Sequence, residues 1–256
     1  MTNWVIRAKK NNLARIRLYC FPSAGRGASS FGSWTQIVRP ELDICSIQLP
    51  GRENRYRESS LARIDDVLSG LLPHIEGSLE LPFAFFGHSL GALIGFELIR
   101  LLRKRGSGLP LHFFVSARRA PNLAEPNPPI SHLPDAEFLE NVQQRFGGIP
   151  EAILKSPDML QIMTPVLRSD FEMIEKYQYR NEDPLDCPIT ALGGLGDSSL
   201  SQWELEAWKN QTSGRFQVNM FPGDHFYLQN SRAELLQVIW NELKNALDGL
   251  SRGVNR

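Results

Sequence analysis

Cysteine is scarce in this sequence, and its distribution excludes two common kinds of site. The chain has 256 residues but only 3 cysteines, Cys20, Cys45 and Cys187, which are odd in number and widely separated. Such spacing fits neither a disulfide framework nor a metal-binding motif. We therefore expect three small, buried side chains in a protein of a reducing compartment.

Net charge and long apolar runs are absent as well. The 28 Lys and Arg residues balance the 28 Asp and Glu residues, so no global field would attract nucleic acid or an anionic membrane. No apolar run is long enough to span a bilayer, and residues 1–10 lack the apolar segment of a signal peptide. We expect a cytoplasmic protein that binds neither nucleic acid nor membrane.

What the sequence does contain is a regular alternation of strand and helix patterns. Segments typical of β-strands cover residues 15–21, 42–49, 81–86, 111–116, 188–194 and 215–221. Helical patterns cover residues 31–38, 64–75, 90–105 and 202–210, and a last helix begins at the capping-box sequence Ser231 to Glu234 and frays after Asp248. This alternation predicts one α/β domain whose mostly parallel sheet is covered by helices on both faces.

The alternation is interrupted over residues 118–186, where several prolines are followed by helical patterns without a convincing strand. Apolar residues form two helical stripes there, Leu160-Met163-Leu167-Phe171-Ile174 and Met159-Ile162-Val166-Met173. Most of the circumference of a helix with these two stripes must therefore be covered by other parts of the protein. Pro165 is expected to start a new helix with Thr164 as its cap. We interpret residues 118–186 as a helical lid, inserted between core residues 13–117 and 187–248; additional core without substrate contact is the alternative.

A G-x-S-x-G motif, Gly87-His88-Ser89-Leu90-Gly91, lies between a predicted strand and a predicted helix. In this context the serine stands on a sharp turn that exposes its hydroxyl beyond the carboxyl end of the strand. The glycines remove Cβ atoms that would collide where the two elements approach each other. We predict that Ser89 is a nucleophile; a glycine-flanked turn that happens to carry serine is the alternative.

A serine nucleophile needs a base within hydrogen-bond reach and a carboxylate that orients this base. Four of the five histidines occupy a helix end, the motif, a strand and the proline-rich segment, namely His74, His88, His112 and His132. His225 alone follows the last predicted strand, where a loop could bring its imidazole over Ser89. Although a lone histidine is more often structural, this position favours His225 as the base.

The orienting carboxylate is expected in a loop after an earlier strand at the same edge of the sheet. Asp197 follows the strand that ends at Gly194, whereas the side chain of Asp224 would point away from the adjacent His225. Asp170 belongs to the predicted lid. The resulting order, Ser89, Asp197, His225, is the order expected of α/β-hydrolases.

Two backbone N–H groups are expected to bind the oxyanion of an acyl intermediate. One belongs to Leu90, the residue after the nucleophile. The other is expected from the loop Ser23-Ala24-Gly25, which leaves the first predicted strand. A flexible connection of small residues is an equally good interpretation of this loop. Water would then hydrolyse the acyl-enzyme.

Several motifs, taken together, resemble one known family. In chain order they are Phe21-Pro-Ser-Ala-Gly25, Gln48-Leu-Pro-Gly-Arg52, Gly87-His-Ser-Leu-Gly91, Ser116-Ala-Arg-Arg-Ala-Pro121, Phe146-Gly-Gly148, Pro165 to Asp170 and Pro188-Ile-Thr-Ala-Leu-Gly193. The set extends from about Arg15 to the final helix. It resembles the type II thioesterases, stand-alone α/β-hydrolases that accompany non-ribosomal peptide and polyketide synthases in antibiotic biosynthesis.

The resemblance implies an editing enzyme. Such an enzyme hydrolyses aberrant or stalled acyl groups from the phosphopantetheine thiol of acyl or peptidyl carrier proteins. At the matching motif positions, Ser89, Asp197 and His225 would form the catalytic triad. The N–H groups of Ala24 and Leu90 would form the oxyanion hole.

The chain departs from the usual residues of the family at four positions. Ser23 and Arg26 stand where His and Gly are usual, Leu90 stands where Met is common, and Ser198 stands where Pro is frequent. Because the oxyanion donors are backbone groups, these departures concern the shape of the acyl pocket more than the mechanism.

We therefore predict a monomeric serine thioesterase of the α/β-hydrolase fold, without metal or organic cofactor. A general carboxylesterase or lipase is the enzymatic alternative, because a triad does not distinguish sulfur from oxygen leaving groups. A non-catalytic binding module of the same fold is the other alternative. Arg52, Arg118 and Arg119 have two interpretations, contacts to a phosphate or acidic carrier surface and, slightly favoured, solvated arginines or internal ion pairs.

Overall fold

A seven-stranded sheet forms the centre of the computed structural model, which describes residues 4–7 and 11–253, with side chains as far as residue 250. The strands are Val5–Ile6 (β1), Ile16–Phe21 (β2), Leu42–Ile47 (β3), Phe83–His88 (β4), Phe113–Ser116 (β5), Ile189–Gly194 (β6) and Phe216–Phe221 (β7). Their order across the sheet is β1-β3-β2-β4-β5-β6-β7. β1 is antiparallel to β3, whereas the other neighbouring pairs are parallel.

Helices cover both faces of this sheet. They are Ile64–Glu76 (α1), Leu90–Lys104 (α2), Asp135–Phe146 (α3), Glu151–Leu154 (α4), Pro157–Glu175 (α5), Gln202–Glu206 (α6) and Arg232–Gly253 (α7), with 3₁₀ helices at Ala28–Gln36, Glu53–Arg55, Ala207–Gln211 and Tyr227–Gln229. One face of the sheet packs against α1 and α2, and the opposite face packs against α7 and the first 3₁₀ helix. The predicted α/β architecture is confirmed.

The alternation of side chains along each central strand produces these two cores. In β2, Tyr19 and Phe21 belong to the core beneath α1 and α2, whereas Leu18 and Cys20 belong to the core beneath α7. Because successive strand residues point to opposite faces, a strand buried on both sides requires an unbroken apolar run. This requirement explains why the predicted central strands were recognisable in the sequence.

The three cysteines are buried and free, as predicted. Burial raises the pKa of the Cys45 thiol and of the Cys187 thiol to about 12. The thiol of Cys20 is shifted in the same direction, again mainly by burial. All three side chains therefore behave as small neutral groups in the core.

Some local predictions differ from the structure at the ends of the chain. β1 was not predicted, because an edge strand of only 2 residues has too few positions for a recognisable pattern. Helix α7 continues to Gly253, so the predicted fraying after Asp248 is wrong.

No helix within the described part of the chain is long and apolar enough to cross a membrane. Of the segment considered for a signal peptide, residues 1–3 and 8–10 lie outside the described residues.

The predicted helix start at Pro165 is also wrong. Helix α5 is continuous across this proline and begins instead at Pro157, where the side chain of Ser156 accepts a hydrogen bond from the N–H of Met159. An interior proline costs roughly 3 kcal/mol because it removes one hydrogen bond of the helix. Packing on both sides of Pro165 offsets this cost, since Leu167 and the residues around it belong to a buried cluster.

The apolar stripes of α5 are covered only in part. Val166 and Met173 are buried, whereas Met159 and Ile162 are 47% and 61% exposed. The prediction that most of the circumference is covered therefore applies to the second half of α5 and fails for the first half. The inserted helices α3 and α5 share a separate small core, in which Phe138 contacts Phe171 edge to face.

His112 precedes β5 and makes the stability of the fold depend on pH. The ring is buried, its Nε2 lies 2.8 Å from Thr190 Oγ1, and Phe114 stacks on it. Burial, with a smaller contribution from the positive charge of Arg215, lowers the pKa of His112 to about 4. The unfolded chain therefore binds this proton at higher pH than the folded protein, and folding stability falls as the pH decreases from about 6.5 to about 4.

We expect His112→Gln to reduce this pH dependence, because glutamine keeps an amide near Thr190 but does not titrate. Between pH 7 and pH 5 the wild type should lose about 2 kcal/mol more unfolding free energy than the variant. Urea unfolding at the two pH values measures the difference. Identical losses in both proteins would show that His112 titrates alike in the folded and unfolded states.

Candidate active site

Ser89 occupies the turn between β4 and α2 with φ 54° and ψ −116°, an unusual conformation for a residue other than glycine. Such backbone strain costs roughly 1–3 kcal/mol. The N–H of Ser89 donates to the carbonyl of Ser116 at 2.8 Å. A Cβ at Gly87 would lie 2.4 Å from Gly91 O, and a Cβ at Gly91 would lie 2.1 Å from Phe21 O. Glycine is therefore required on both sides of Ser89.

His225 and Asp197 form a hydrogen-bonded pair in the loops that follow β7 and β6. Nδ1 of His225 lies 2.8 Å from Oδ2 of Asp197, and both side chains are almost fully buried. β6 and β7 are parallel neighbours, so their carboxyl ends bring the two loops to the same edge of the sheet. Among the described residues, Nε2 of His225 has no protein partner, and this nitrogen can accept a proton.

Ser199 joins this pair, and the sequence analysis missed it. Its hydroxyl donates to Oδ1 of Asp197 at 2.6 Å and lies 3.3 Å from Nδ1 of His225. Its N–H donates to the same Oδ1 at 2.9 Å, which closes a turn typical of Asp-x-Ser sequences. The sequence Asp197-Ser198-Ser199 is therefore the signal that could have revealed the contact.

The Asp197 carboxylate stays ionised in spite of its burial. Burial by itself raises the pKa of this carboxyl, but the hydrogen bond and electrostatic interaction with His225, together with the hydrogen bonds of Ser199, lower it below its usual value. An ionised carboxylate on Nδ1 orients the imidazole and stabilises its protonated form. Asp224 makes no such contact, because it is exposed and its Oδ1 accepts the N–H of Phe226 at 2.8 Å.

His88, the histidine of the motif, lies beside His225 with a distance of 5.3 Å between the ring centroids. Its Nδ1 lies 2.8 Å from Ser116 Oγ, and Ser116 Oγ lies 2.7 Å from the hydroxyl of Tyr227. Burial lowers the pKa of His88 well below its usual range, and interactions with the neighbouring His225 and Arg26 side chains shift it in the same direction. His88 is therefore a neutral, buried neighbour of the site, which agrees with its exclusion as the base.

Ser89 and His225 line the same cavity, which has a volume of about 450 Å³. No hydrogen bond joins these two side chains among those of the described residues, and such contacts often tighten only when substrate is bound. Much of the cavity wall is apolar and comes from the segment between β5 and β6, including Val142, Phe146, Ile149, Met163, Leu167 and Phe171. A cavity with this lining can bury an apolar chain whose reactive end lies near Ser89.

Two backbone donors near Ser89 have no acceptor. Neither the N–H of Ala24 nor the N–H of Leu90 donates to a protein atom within the described part of the chain. Leu90 begins α2, where the first N–H groups of a helix lack intrahelical acceptors. The N–H of Gly25, in contrast, is occupied, because it donates to Oδ2 of Asp170 at 2.7 Å. The loop after β2 is therefore held in place by a defined contact.

The three arginines that had two interpretations form internal ion pairs. Arg52 binds Asp170 with both terminal nitrogens, at 2.6 and 2.9 Å. Arg118 pairs with Glu125, and Arg119 pairs with Glu204. The interpretation as internal ion pairs is confirmed.

Within the described residues, no group of three or more His, Cys, Asp or Glu side chains could hold a metal ion.

The chain is similar in sequence to proteins of one known family. The Thioesterase domain family matches residues 16–242. The gramicidin S biosynthesis protein GrsT of Aneurinibacillus migulanus is 41% identical over 247 residues, which cover 96% of this chain and 96% of that protein. Thioesterase PikA5 of Streptomyces venezuelae is 35% identical over 246 residues, covering 94% and 85%.

The fold is likewise similar to solved structures. The structure of the type II thioesterase BorB from the borrelidin biosynthetic cluster aligns with a TM-score of 0.84 at 30% identity. The alignment covers 94% of this chain and 97% of the BorB chain. The similarity therefore extends over the sheet and the helices inserted between β5 and β6.

Proposed function

The chain belongs to the thioesterase family, and from this premise we propose that it hydrolyses acyl or aminoacyl thioesters on the phosphopantetheine arm of carrier proteins. The pair of His225 Nδ1 and Asp197 Oδ2, 2.8 Å apart, is the observation that supports the proposal most directly. The imidazole of this pair lines the same cavity as Ser89. A nucleophile, a base and an orienting carboxylate are the groups that acyl transfer requires.

In the proposed reaction, Nε2 of His225 removes the proton of Ser89 while Oγ attacks the carbonyl carbon of the thioester. The N–H groups of Ala24 and Leu90 bind the oxyanion that forms. The C–S bond then breaks, and the imidazolium returns its proton to the departing pantetheine sulfur. A water molecule, deprotonated by the same imidazole, attacks the acyl-serine ester. Collapse of the second oxyanion breaks the bond between the acyl carbon and Ser89 Oγ, the imidazolium returns its proton to Oγ, and the carboxylic acid is released.

We also propose that residues 118–186 act as a lid within a single α/β-hydrolase domain. This segment supplies apolar cavity walls through α5 and through α3, whose last residue, Phe146, has its ring 5.3 Å from that of His225. Excluding water from the acyl chain while leaving an entrance for the pantetheine arm requires a cover of this kind. The exposed Met159 and Ile162 line the same cavity and would contact the entering arm.

The relatives support an assignment to non-ribosomal peptide or polyketide biosynthesis. GrsT is named for gramicidin S biosynthesis, and BorB comes from the borrelidin cluster. We propose that this protein edits carrier proteins of such a synthase, removing acyl groups that have stalled there. We further propose that the protein is a monomer and that it acts in the cytoplasm, where such synthases and their carriers reside.

A general esterase remains the competing function, and the leaving group distinguishes the two. We expect kcat/KM for an acyl group on holo-carrier protein to exceed that for the same acyl group in an aryl ester by at least about 10-fold, because contacts to the arm and carrier add transition-state binding energy. The same acyl group on free pantetheine separates the contribution of the arm from that of the carrier. A preference for the aryl ester would favour the esterase.

A further inference from the structure

A buried ion pair connects the inserted helix α5 with the loop that follows β3. Asp170 of α5 is 0% exposed, and the side chain of Arg52 is 5% exposed. The two guanidinium contacts, 2.6 Å to Oδ2 and 2.9 Å to Oδ1, form a bidentate pair. Burying two charges is unfavourable unless further hydrogen bonds satisfy them, so the remaining partners of this pair are informative.

Two of the remaining partners lie in the loop after β2 that contains Ala24, and a third is the carbonyl of Pro50, to which Arg52 Nε donates at 3.3 Å. Oδ2 of Asp170 accepts the N–H of Gly25 at 2.7 Å. Arg52 Nη1 donates to the carbonyl of Arg26 at 3.2 Å, one residue further along the same loop. The ion pair thus binds two backbone groups immediately after Ala24. The proposed reaction uses neither Asp170 nor Arg52.

We propose that Asp170 is a positioning residue that holds the N–H of Ala24 in place for the oxyanion, with Arg52 as its orienting partner. This inference rests on the proposed function, in which the Ala24 amide binds the oxyanion. The hydrogen bond to the N–H of Gly25 fixes the rigid, planar 24–25 peptide group, which includes Cα of Ala24. The N–H of Ala24 belongs to the preceding peptide group, so this anchor and the two backbone dihedral angles of Ala24 together set its direction. Gly25 has a φ of 71°, which lies in the left-handed region that glycine adopts without steric cost.

The contact of Asp170 with Gly25 also makes the position of the Ala24 N–H depend on the position of helix α5. Asp170 and Leu167 lie one turn apart on α5, and a Cβ on Gly25 would lie 2.9 Å from Leu167 Cδ1. Leu167 lines the acyl cavity. The same turn of α5 therefore lines the acyl cavity and binds the loop that contains Ala24. This loop is held in place only when α5 is packed against it.

The test is Asp170→Asn, which keeps the shape of the side chain but removes its charge. We expect kcat on a carrier-bound thioester to fall by about 10- to 100-fold with KM changed less than about 2-fold, because misplacing an oxyanion donor affects the transition state more than the ground state. The inhibition constant of a trifluoromethyl ketone analogue, which forms an oxyanion on Ser89, should rise by a similar factor. A damaged acyl pocket would instead raise KM.

Asp43→Asn is the matched control. Asp43 is 3% exposed in β3 and pairs with Arg7 at 2.6 Å and with Arg17 at 3.6 Å, in contacts that do not involve the loop containing Ala24. This variant should lower the melting temperature and leave kcat and the inhibition constant unchanged. If Asp43→Asn lowered kcat and raised the inhibition constant by the same factors as Asp170→Asn, general destabilisation would explain both effects and the inference would be overturned.

A second variant, Arg52→Lys, decides the outcome if Asp170→Asn folds poorly. Arg52→Lys keeps the positive charge beside Asp170 but cannot make the bidentate contact, and a reduction of kcat by about 3- to 10-fold is expected. Unchanged kcat in either folded variant would overturn the positioning role while wild-type turnover continued to support the proposed function. If the wild type failed to hydrolyse carrier thioesters, the proposed function itself would fail.

Discussion

Replacing Ser89 with alanine is expected to lower kcat on a carrier-bound thioester by about 10⁵- to 10⁶-fold, as losses of serine nucleophiles do elsewhere. The strained turn at φ 54° exposes this hydroxyl at the cavity, and no other group on α2 replaces it there. Alanine fits the same backbone, so folding should be preserved. Hydrolysis of a loaded carrier protein, with matched melting curves, measures the effect.

A fluorophosphonate probe provides an independent measurement on the same variant. It should modify the wild type at Ser89 and leave Ser89→Ala unmodified. Ser199→Ala is the matched control, because Ser199 also lines the cavity but hydrogen-bonds Asp197. Ser199→Ala should retain the label. Covalent modification of Ser89→Ala, or its retention of turnover, would identify another nucleophile, and an unlabelled wild type would favour a non-catalytic binding module.

Asp197→Asn should cost about 10⁴-fold in kcat, because an amide cannot stabilise the imidazolium and favours the wrong tautomer of His225. The carboxylate that is lost is ionised and holds Nδ1 at 2.8 Å. KM should change little, since the interaction strengthens as positive charge develops on the ring. Steady-state kinetics on a carrier-bound substrate measure both parameters.

Asp224→Asn is the control for this prediction. Asp224 is next to His225 in the chain, yet its carboxylate is exposed and binds the N–H of Phe226. The variant should retain kcat within about 2-fold, since exposed substitutions away from a site have small effects. If Asp224→Asn lost activity and Asp197→Asn retained it, the acid of the proposed triad would be reassigned.

The neighbours of His225 explain why its second nitrogen is available. Asp197 and Ser199 surround Nδ1, and the rings of His88, Phe146 and Phe226 lie against the imidazole. His88 is kept neutral by burial and is bound through Ser116, so it adds no competing charge. These contacts restrict the ring to one orientation, which a general base needs before substrate arrives.

Much of the fold was predictable because its signals are local. A strand buried on both faces must be largely apolar, as the run Phe83-Ala84-Phe85-Phe86 of β4 is, and a nucleophile turn must be flanked by small residues. The structure gives the reason in contact distances, since a Cβ on Gly91 would lie 2.1 Å from Phe21 O. The positions of Asp197 and His225 after two late strands were predictable for the same reason, because parallel strands end at one edge.

Features that depend on distant segments were not predictable. Pro165 indicates a helix start in the sequence, yet α5 passes through it because the packing of Leu167 and Phe171 outweighs one missing hydrogen bond. The partner of Asp170 is 118 residues away at Arg52, and no periodicity relates the two. The ordering of the loop containing Ala24 likewise depends on this distant carboxylate.

The sequence alone therefore determined the succession of strands and helices, the turn at Ser89, and which loops carry the candidate acid and base. These are properties of hydrophobic periodicity, turn chemistry and chain order, which act over a few residues. The tertiary structure alone decided that Ser199 also contacts His225, that Arg52 is buried against Asp170, and how far α5 extends. Each of these depends on the balance between desolvation and contacts among remote segments, which exists only once the chain is packed.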